Sequence, residues 1–255
     1  MYKVTKYVLS NFYFILWLLA ELRPLNRFRR NIRYFKSIND YDNERSEILK
    51  ASSFWANRIC KKLDVKIIVE GEQNFPEGPL VIVSNHQSYA DIPIILASIP
   101  SRQIGFVAKQ SLRNMPFYGK WIEEIRSIFL KRDDVKSSLK SIEEGITLLK
   151  NGFSLAIFPE GTRSKGDQMG AFKKGGLRLA TKSGAPIVPI SLSGSWKIME
   201  ATGKATKHVS VRLFIHDPIH TAGLSKQEIN DLSNKVESII SRKLVEWQNP
   251  HHGFS

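Results

Sequence analysis

The stretch LVIVSNHQSYADIPIILAS, residues 80–98, holds the pattern that decides the fold. Its first part, residues 80–84, is an apolar and largely β-branched run, which predicts a buried strand. A short polar loop follows, and the spacing of the apolar residues after it predicts a helix over residues 91–98. A strand that leads through a short loop into a helix is the repeating unit of α/β folds.

The same alternation continues along the chain. Further strands are predicted at residues 104–108, 128–130, 155–158, 187–190 and 209–215. Helices are predicted over residues 134–150 and 171–183, and a last helix begins at Ser225, where Glu228 completes a capping box. The pattern therefore predicts an α/β fold whose sheet is mixed, largely parallel and flanked by helices.

Composition limits the classes of partner. The chain has 255 residues, enough for one α/β domain and a short appendage. Its 38 Lys and Arg against 24 Asp and Glu give a net charge of +14, which attracts either nucleic acid or an anionic membrane surface. The single cysteine, Cys60, excludes an internal disulfide and suits a reducing compartment.

The N-terminus favours the membrane. Residues 7–20, YVLSNFYFILWLLA, are uncharged and mostly apolar, but as a helix they would extend only about 21 Å. This is shorter than the hydrocarbon core of a bilayer, about 30 Å. Cations that suit an anionic cytoplasmic leaflet follow: Arg23, Arg27, Arg29, Arg30, Arg33 and Lys36. A cleaved signal peptide is an alternative, but no clear A-x-A site follows.

A second apolar stripe repeats at helical spacing within residues 48–63. Its members are Ile48, Ala51, Trp55, Ile59 and Leu63. We therefore divide the chain into a two-helix membrane-associating segment, residues 1–64, and an α/β domain, residues 65–255. Packing of the second helix on the protein's own core is the alternative interpretation of the same stripe.

Candidate catalytic residues follow the strand at 80–84. His86 stands at the carboxyl end of this strand, where open α/β sheets build their sites. On one continuous helix Asp91 would face away from His86, so the two meet only if the chain turns between them, through Ser88. The acid would then hold the imidazole tautomer and leave the other ring nitrogen to take a proton from an alcohol. Taken alone, a structural histidine and a helix-capping aspartate explain the pair equally well.

A second cluster, LAIFPEGTRS at residues 155–164, leads from a strand into a turn. Gly161 permits close approach of the backbone to a ligand, and Arg163 suits a phosphate. The plain alternative is a tight turn with solvated charges.

In combination, the run from Asn85 to Asp91 and the run FPEGTRS at residues 158–164 resemble the glycerolipid acyltransferase family. The similarity is greatest to its bacterial 1-acylglycerol-3-phosphate acyltransferases and covers about residues 65–220. The family's Gly-x-x-Phe-x-x-Arg pattern matches at Phe129 and Arg132, but Arg126 stands where the glycine is usual. The apolar run around a proline, residues 185–190, matches a fourth family motif.

The resemblance implies roles for these positions. His86 would be the general base and Asp91 would orient it. The substrate-binding residues would be Lys109, Arg132, Glu160, Gly161, Thr162 and Arg163. Of these, the two arginines are the expected phosphate ligands. The family needs neither a metal nor a cofactor.

The implied reaction moves a fatty acyl group from an acyl thioester, carried by coenzyme A or acyl carrier protein. The acceptor is the sn-2 hydroxyl of 1-acylglycerol 3-phosphate, lysophosphatidic acid, and the product is phosphatidic acid for phospholipid synthesis. The expected location is the cytoplasmic face of the cell inner membrane.

Other functions remain open at this point. The acceptor could be another lysophospholipid or a lyso-aminolipid, or the His–Asp pair could hydrolyse the thioester. Nucleic-acid binding is suggested by charge alone, without a recognised motif, and is not expected. His216 and His220 have the spacing of a zinc pair, but Asp217-Pro218 between them disfavours a helix, so no metal site is predicted.

Overall fold

The computed structural model describes residues 11–131 and 134–249. Its centre is one sheet whose strands are β1 (Lys66–Glu70), β2 (Val81–Ser84), β3 (Ile104–Lys109), β4 (Ile128–Leu130), β5 (Ser154–Ile157), β6 (Ile187–Ser193) and β7 (Ser210–Ile215). The strand order is β1-β7-β6-β2-β5-β3-β4. All neighbouring strands are parallel except β6 and β7, which are antiparallel. The expected mixed, largely parallel sheet is confirmed.

The strand predictions hold to within a few residues, and one strand escaped prediction. β1, with the sequence KIIVE, lies at the edge of the sheet beside β7. An edge strand is buried less completely, and Lys66 and Glu70 at its two ends interrupt the apolar signal. The central strands β2 and β5 are buried along their whole length, and their sequences are accordingly continuous apolar runs.

Helices flank the sheet. They are α1 (Phe12–Ala20), α2 (Asn26–Ser37), α3 (Tyr41–Lys62), α4 (Asp91–Ser98), α5 (Tyr118–Glu124), α6 (Val135–Lys150), α7 (Arg178–Ser183), α8 (Trp196–Met199) and α9 (Lys226–Gln248). The predicted capping box of α9 is present, with Ser225 and Glu228 bonded reciprocally. At the end of α6, Gly152 adopts φ 87°, a left-handed conformation that glycine accommodates without strain.

The helix predicted over residues 171–183 is too long. The structure has a 3₁₀ turn at Lys174–Leu177 before the short α7 begins. Gly175 and Gly176 lie in this turn, and glycine is a poor helix former because it loses the most backbone entropy.

The N-terminal part has three helices within residues 12–62 where two were predicted, because α2 forms over the cationic cluster. Ile32 of α2 is fully buried, so this basic helix is amphipathic and packs through one face. Residues 7–10 of the apolar run lie outside the described residues. Among the helices that the structure describes, none is both long and apolar enough to cross a bilayer.

Helix α3 packs on the domain's own core. Every member of the predicted stripe is buried: Ile48, Ala51, Trp55, Ile59 and Leu63. The ring of Trp55 contacts Trp121 of α5, with centroids 6.2 Å apart. The alternative interpretation of this stripe is therefore the one the structure bears out, while the membrane role of residues 1–64 stays a prediction.

A buried ion pair joins α3 to the start of β4. Arg126 donates to Glu44 through Nε (2.6 Å) and Nη2 (2.7 Å), and the Glu44 side chain is fully buried. Arg126 adopts φ 64°, a conformation that favours glycine. The glycine that the family uses at this position would adopt this angle without strain, so here the ion pair holds a strained arginine in place.

Candidate active site

The parallel strands bring the predicted site residues to one edge of the sheet. Strands β2, β3, β5 and β6 run in the same direction, so their carboxyl ends meet there. The segments that follow β2, β5 and β6 carry His86, Glu160 and Ser195 respectively. Ligand sites of open α/β sheets form at this edge.

His86 and Asp91 form a hydrogen-bonded pair. The chain turns after His86, as predicted, and Asp91 is the first residue of α4. His86 Nδ1 lies 2.7 Å from Asp91 Oδ2. In a neutral imidazole beside an ionised carboxylate, which can only accept, Nδ1 carries the proton and Nε2 has the free lone pair. No hydrogen bond within the described residues involves Nε2, and the His86 side chain is 18% exposed.

Asp91 is buried and fully bonded. Oδ2 also accepts from the backbone N–H groups of Gln87 (2.7 Å) and Ser88 (2.9 Å). Oδ1 accepts from the hydroxyl of Ser195 at 2.5 Å. These donors fix the position of the carboxylate beside the imidazole.

Glu160 ties the two predicted motifs together. Its side chain is buried, with Oε1 accepting from His86 N (2.6 Å) and Oε2 from Gly170 N (2.8 Å). A third contact closes the same junction, since Ser164 N donates to the carbonyl of His86 at 2.8 Å. Burial raises the pKa of Glu160, and the two backbone hydrogen bonds oppose that shift. Glu160 therefore joins the loop that carries His86 to the segment around Gly170.

An apolar cavity of about 320 Å³ lies beside the base. Phe158 lines it and stacks on His86, with ring centroids 4.1 Å apart. Its other apolar walls come from β3, β4, β5, α6 and α7, among them Val107, Ile128, Leu130, Ile142, Ile157 and Leu179. The ring of Phe158 thus separates the imidazole from a space suited to hydrocarbon.

Arg163 lies in an ion pair. Its Nη1 donates to Glu200 Oε1 at 2.6 Å, and its guanidinium carbon stands 3.5 Å from the ring centroid of Tyr89. No hydrogen bond within the described residues involves Nε or Nη2. The side chain is 21% exposed, so this second edge of the guanidinium is accessible.

The remaining predicted substrate-binding residues are Gly161, Thr162, Lys109 and Arg132. Gly161 adopts φ 73° in the turn, which favours glycine, and Thr162 beside it is exposed. Lys109 ends β3 at the same edge of the sheet and is exposed. Arg132 lies outside the described residues, so its predicted role stays a prediction.

Four contacting residues were not singled out from the sequence: Tyr89, Phe158, Ser195 and Glu200. Ser195 and Glu200 bracket the single turn of α8, directly after β6. The available signal was their position beyond the carboxyl end of a predicted strand, Ile187–Ile190, which the structure extends to Ser193. Polar residues near strand ends are too common for this signal to single out Ser195 and Glu200.

The fold and this edge define an α/β enzyme with a histidine, held by a buried aspartate, close to an apolar cavity. A family model described as Acyltransferase matches residues 66–193. The chain belongs to this acyltransferase family.

Individual relatives extend the similarity. A chloroplastic 1-acyl-sn-glycerol-3-phosphate acyltransferase, LPAT1, of Arabidopsis thaliana is 38% identical over 182 residues, covering 70% of this chain and 49% of the relative. The 1-acyl-sn-glycerol-3-phosphate acyltransferase of Borreliella burgdorferi is 30% identical, covering 75% of this chain and 79% of the relative. This chain thus spans about half the length of the plant relatives it matches and more of the bacterial one.

A solved structure has the same fold. The crystal structure of the 1-acyl-sn-glycerophosphate (LPA) acyltransferase PlsC from Thermotoga maritima superposes with a TM-score of 0.70. The two sequences are 28% identical, and the match covers 94% of this chain and 97% of that one. The match therefore includes most of the N-terminal helices as well as the α/β core.

Proposed function

We propose that this protein transfers a fatty acyl group from an acyl thioester to the sn-2 hydroxyl of 1-acylglycerol 3-phosphate, which makes phosphatidic acid. The observation that carries the proposal is the His86–Asp91 pair, at 2.7 Å, whose imidazole stacks on Phe158 in the wall of the apolar cavity and makes no hydrogen bond through Nε2 within the described residues. The relatives named for this reaction support the choice of acceptor.

In the proposed reaction, His86 acts as the general base. Nε2 takes the proton of the acceptor hydroxyl while its oxygen forms a bond to the thioester carbonyl carbon. Asp91 stabilises the imidazolium that results. When the tetrahedral intermediate collapses, the carbon–sulfur bond breaks and the imidazolium returns its proton to the departing sulfur. The donor carrier is coenzyme A or acyl carrier protein, and no step needs a metal or a cofactor.

The cavity beside Phe158 would hold the acyl chain. Its walls are mainly apolar, and burial of a hydrocarbon chain there stabilises the complex by about 0.8 kcal/mol per methylene. This arrangement would leave the thioester carbonyl near the mouth of the cavity, next to the imidazole.

The phosphate of the acceptor would bind at Arg163. The accessible Nε–Nη2 edge suits two parallel hydrogen bonds to phosphate oxygens. Lys109 and Arg132 are the further cations proposed for this group, and Gly161 and Thr162 would shape the turn around it.

The protein would act at an anionic membrane surface, at the cytoplasmic face of the inner membrane. Helix α1 leaves Phe12, Tyr13 and Leu16 exposed, although its Phe14 and Trp17 pack against the core. The basic helix α2 follows directly. Exposed apolar residues next to cations are typical of segments that bind lipid surfaces.

The test is turnover of lysophosphatidic acid with an acyl thioester in detergent, comparing wild type with His86→Ala and Asp91→Asn. Both variants should lose at least 100-fold in kcat, because general-base catalysis contributes about 10²–10⁴-fold. Each carrier type is offered as the donor in turn.

His208→Ala is the matched control. Its imidazole also contacts an aspartate, with Nδ1 2.6 Å from Asp64 Oδ2, but this pair is exposed and, among the described residues, makes no hydrogen bond to His86, Asp91 or Arg163. The control should keep wild-type turnover. Near-normal turnover by folded His86→Ala would overturn the mechanism. Product only with another lysolipid, or acyl release without any acceptor, would replace the proposed acceptor or reaction.

A further inference from the structure

Glu200 is a buried carboxylate at the edge of the candidate site. It follows the last residue of α8, and its side chain is only 4% exposed. Oε1 accepts from Arg163 Nη1 at 2.6 Å and from the backbone N–H of Tyr89 at 3.2 Å. One oxygen atom thus holds the candidate phosphate ligand and also the loop that carries His86.

The second oxygen of Glu200 has no hydrogen-bond partner in the part of the chain that the structure describes, and it is buried. An unpartnered buried polar atom destabilises the fold, so the site retains Glu200 at a cost to stability. Packing therefore does not explain the glutamate, whereas a role in holding Arg163 does.

The guanidinium of Arg163 is constrained on two sides. The ring of Tyr89 covers one face, at 3.5 Å from the guanidinium carbon to the ring centroid, and Glu200 occupies Nη1. Nε and Nη2 form the opposite edge and make no hydrogen bond within the described residues. A planar guanidinium held in this way presents one bidentate edge in a fixed direction.

We propose that Glu200 is a positioning residue that aims the Nε–Nη2 edge of Arg163 at the phosphate of the acceptor. The inference rests on the proposed function. Because Glu200 Oε1 also binds Tyr89, three residues beyond His86, one carboxylate fixes the distance between the phosphate ligand and the base. That distance selects an acceptor whose hydroxyl and phosphate are close together on one glycerol unit.

The experiment separates the position of the Glu200 carboxylate from its charge. Glu200→Gln keeps the length of the side chain and an oxygen for Arg163 and Tyr89, but it removes the charge. Glu200→Asp keeps the charge, but its side chain is one methylene shorter, so the carboxylate lies farther from Arg163 and Tyr89. Steady-state kinetics with lysophosphatidic acid and with phosphate-free 1-acylglycerol give the preference for the phosphorylated acceptor as a ratio of kcat/KM values. Thermal unfolding confirms that each variant is folded.

A positioning role predicts that Glu200→Asp lowers this preference about tenfold, equivalent to about 1.4 kcal/mol, chiefly through KM for lysophosphatidic acid. Glu200→Gln should retain most of the preference. In the background of Arg163→Ala, the same Glu200 substitutions should have no further effect on it, because both residues act through one contact. Glu70→Ala, which removes a carboxylate of the edge strand β1 that is paired with Arg212, should leave the preference unchanged.

The outcomes distinguish the inference from the proposed function. A wild type that prefers lysophosphatidic acid, with that preference intact in Glu200→Asp, overturns the inference alone. Additive losses for Arg163→Ala and Glu200→Asp overturn it as well. A wild type that makes no phosphatidic acid from lysophosphatidic acid overturns the proposed function, and the inference falls with it.

Discussion

Three buried carboxylates at the carboxyl edge of the sheet have different partners, and these partners separate their tasks. Asp91 is bonded by a side chain and two backbone N–H groups on one oxygen and by Ser195 on the other. Glu160 accepts only from backbone N–H groups of two loops. Glu200 is paired with an arginine. The first holds the imidazole of the proposed base, the second joins two loops, and the third holds a cation.

Ser195 should support catalysis through Asp91. Ser195→Ala removes the hydroxyl that donates to Asp91 Oδ1 at 2.5 Å, which leaves that oxygen without its donor in a buried position. An unsatisfied buried group of this kind costs about 1–3 kcal/mol. We expect kcat to fall about tenfold, corresponding to about 1.4 kcal/mol, with KM for both substrates nearly unchanged. Steady-state kinetics measure the two constants separately.

The control for this prediction is Ser191→Ala. Ser191 is equally buried and lies four residues earlier, but its hydroxyl bonds His216 and the carbonyl of Ile240 in α9. This variant should lose stability and keep kcat. Equal kcat values for the two serine variants, or a rise in KM as the main effect of Ser195→Ala, would show that Ser195 has no special connection to the base.

At the residue scale, the sequence was informative where a motif was local. The turn between His86 and Asp91 follows from the strand and helix that flank it, so their contact could be predicted. Ser195 and Glu200 lie more than 100 residues from the residues of that turn that they contact. Such contacts depend on which strands are neighbours, and a single sequence does not contain the strand order.

At the scale of elements, α8 has a larger role than its four residues suggest. Ser195 stands before its first residue and Glu200 after its last, so the residues at the two ends of one helical turn bond Asp91 of the proposed catalytic pair and the candidate phosphate ligand. Such a short helix has no detectable apolar period, so the sequence did not predict it.

The buried pair between Arg126 and Glu44 leads to a stability prediction. Arg126→Gly relieves a left-handed backbone that costs about 1–2 kcal/mol for other residues. It also leaves the fully buried Glu44 without its partner, and breaking a buried pair from one side costs about 3–5 kcal/mol. Because the broken ion pair costs more than the relieved strain returns, we expect Arg126→Gly to lower the free energy of unfolding, measured with denaturant, by about 2 kcal/mol.

A double variant tests the cause of this loss. Glu44→Met combined with Arg126→Gly removes both charges and the strain, and it should recover most of the wild-type stability. If Arg126→Gly alone were as stable as wild type, the ion pair would not be what holds Arg126 in its strained conformation. The glycine of the family motif could then be exchanged freely at this position.

For the elements, apolar runs located most of the central strands because these strands are buried on both faces. The same signal failed at β1, an edge strand, and it missed α2, whose sequence has five basic residues among twelve. The sequence could not predict whether the α3 stripe binds a membrane or packs on the protein core, because both environments favour an apolar helix face.

At the scale of the whole molecule, His216 should make stability depend on pH. It lies at the end of β7, with Nε2 2.8 Å from the hydroxyl of Ser191, near Lys243, Asp217 and Glu246. Burial first, and then the charge of Lys243, lower its pKa from 6.5 to about 4. His216 of the unfolded chain is therefore protonated below about pH 6.5, whereas in the folded protein it is protonated only below about pH 4. Because the unfolded state binds more protons between these values, the free energy of unfolding decreases as the pH falls through this window.

His216→Gln tests this dependence, because the amide N–H of glutamine can still donate to Ser191 and the side chain does not titrate. Unfolding free energies between pH 4 and 8 should fall less steeply below about pH 6.5 in the variant than in wild type. The two curves should run parallel above pH 7. Parallel curves over the whole range would mean that His216 takes up a proton equally in the folded and unfolded states.

Charge and exposed apolar area together predict that the molecule binds anionic lipid through α1. The net charge of +14 favours any anionic surface, but the exposed apolar residues of α1 favour lipid over nucleic acid. We expect co-sedimentation with vesicles that contain anionic lipid, weakened by high salt because screened cations contribute less. Phe12→Ser with Leu16→Ser should weaken binding further at any salt concentration.

The matched control is Ile229→Ser with Val245→Ser, which removes two apolar side chains of similar exposure from α9. If α1 is the lipid-binding face, the control binds vesicles like wild type while the α1 variant does not. Equal binding by wild type and both variants would show that electrostatic attraction alone holds the protein on the vesicles. DNA in place of vesicles would then compete with similar strength, because charge alone does not distinguish one polyanion from another.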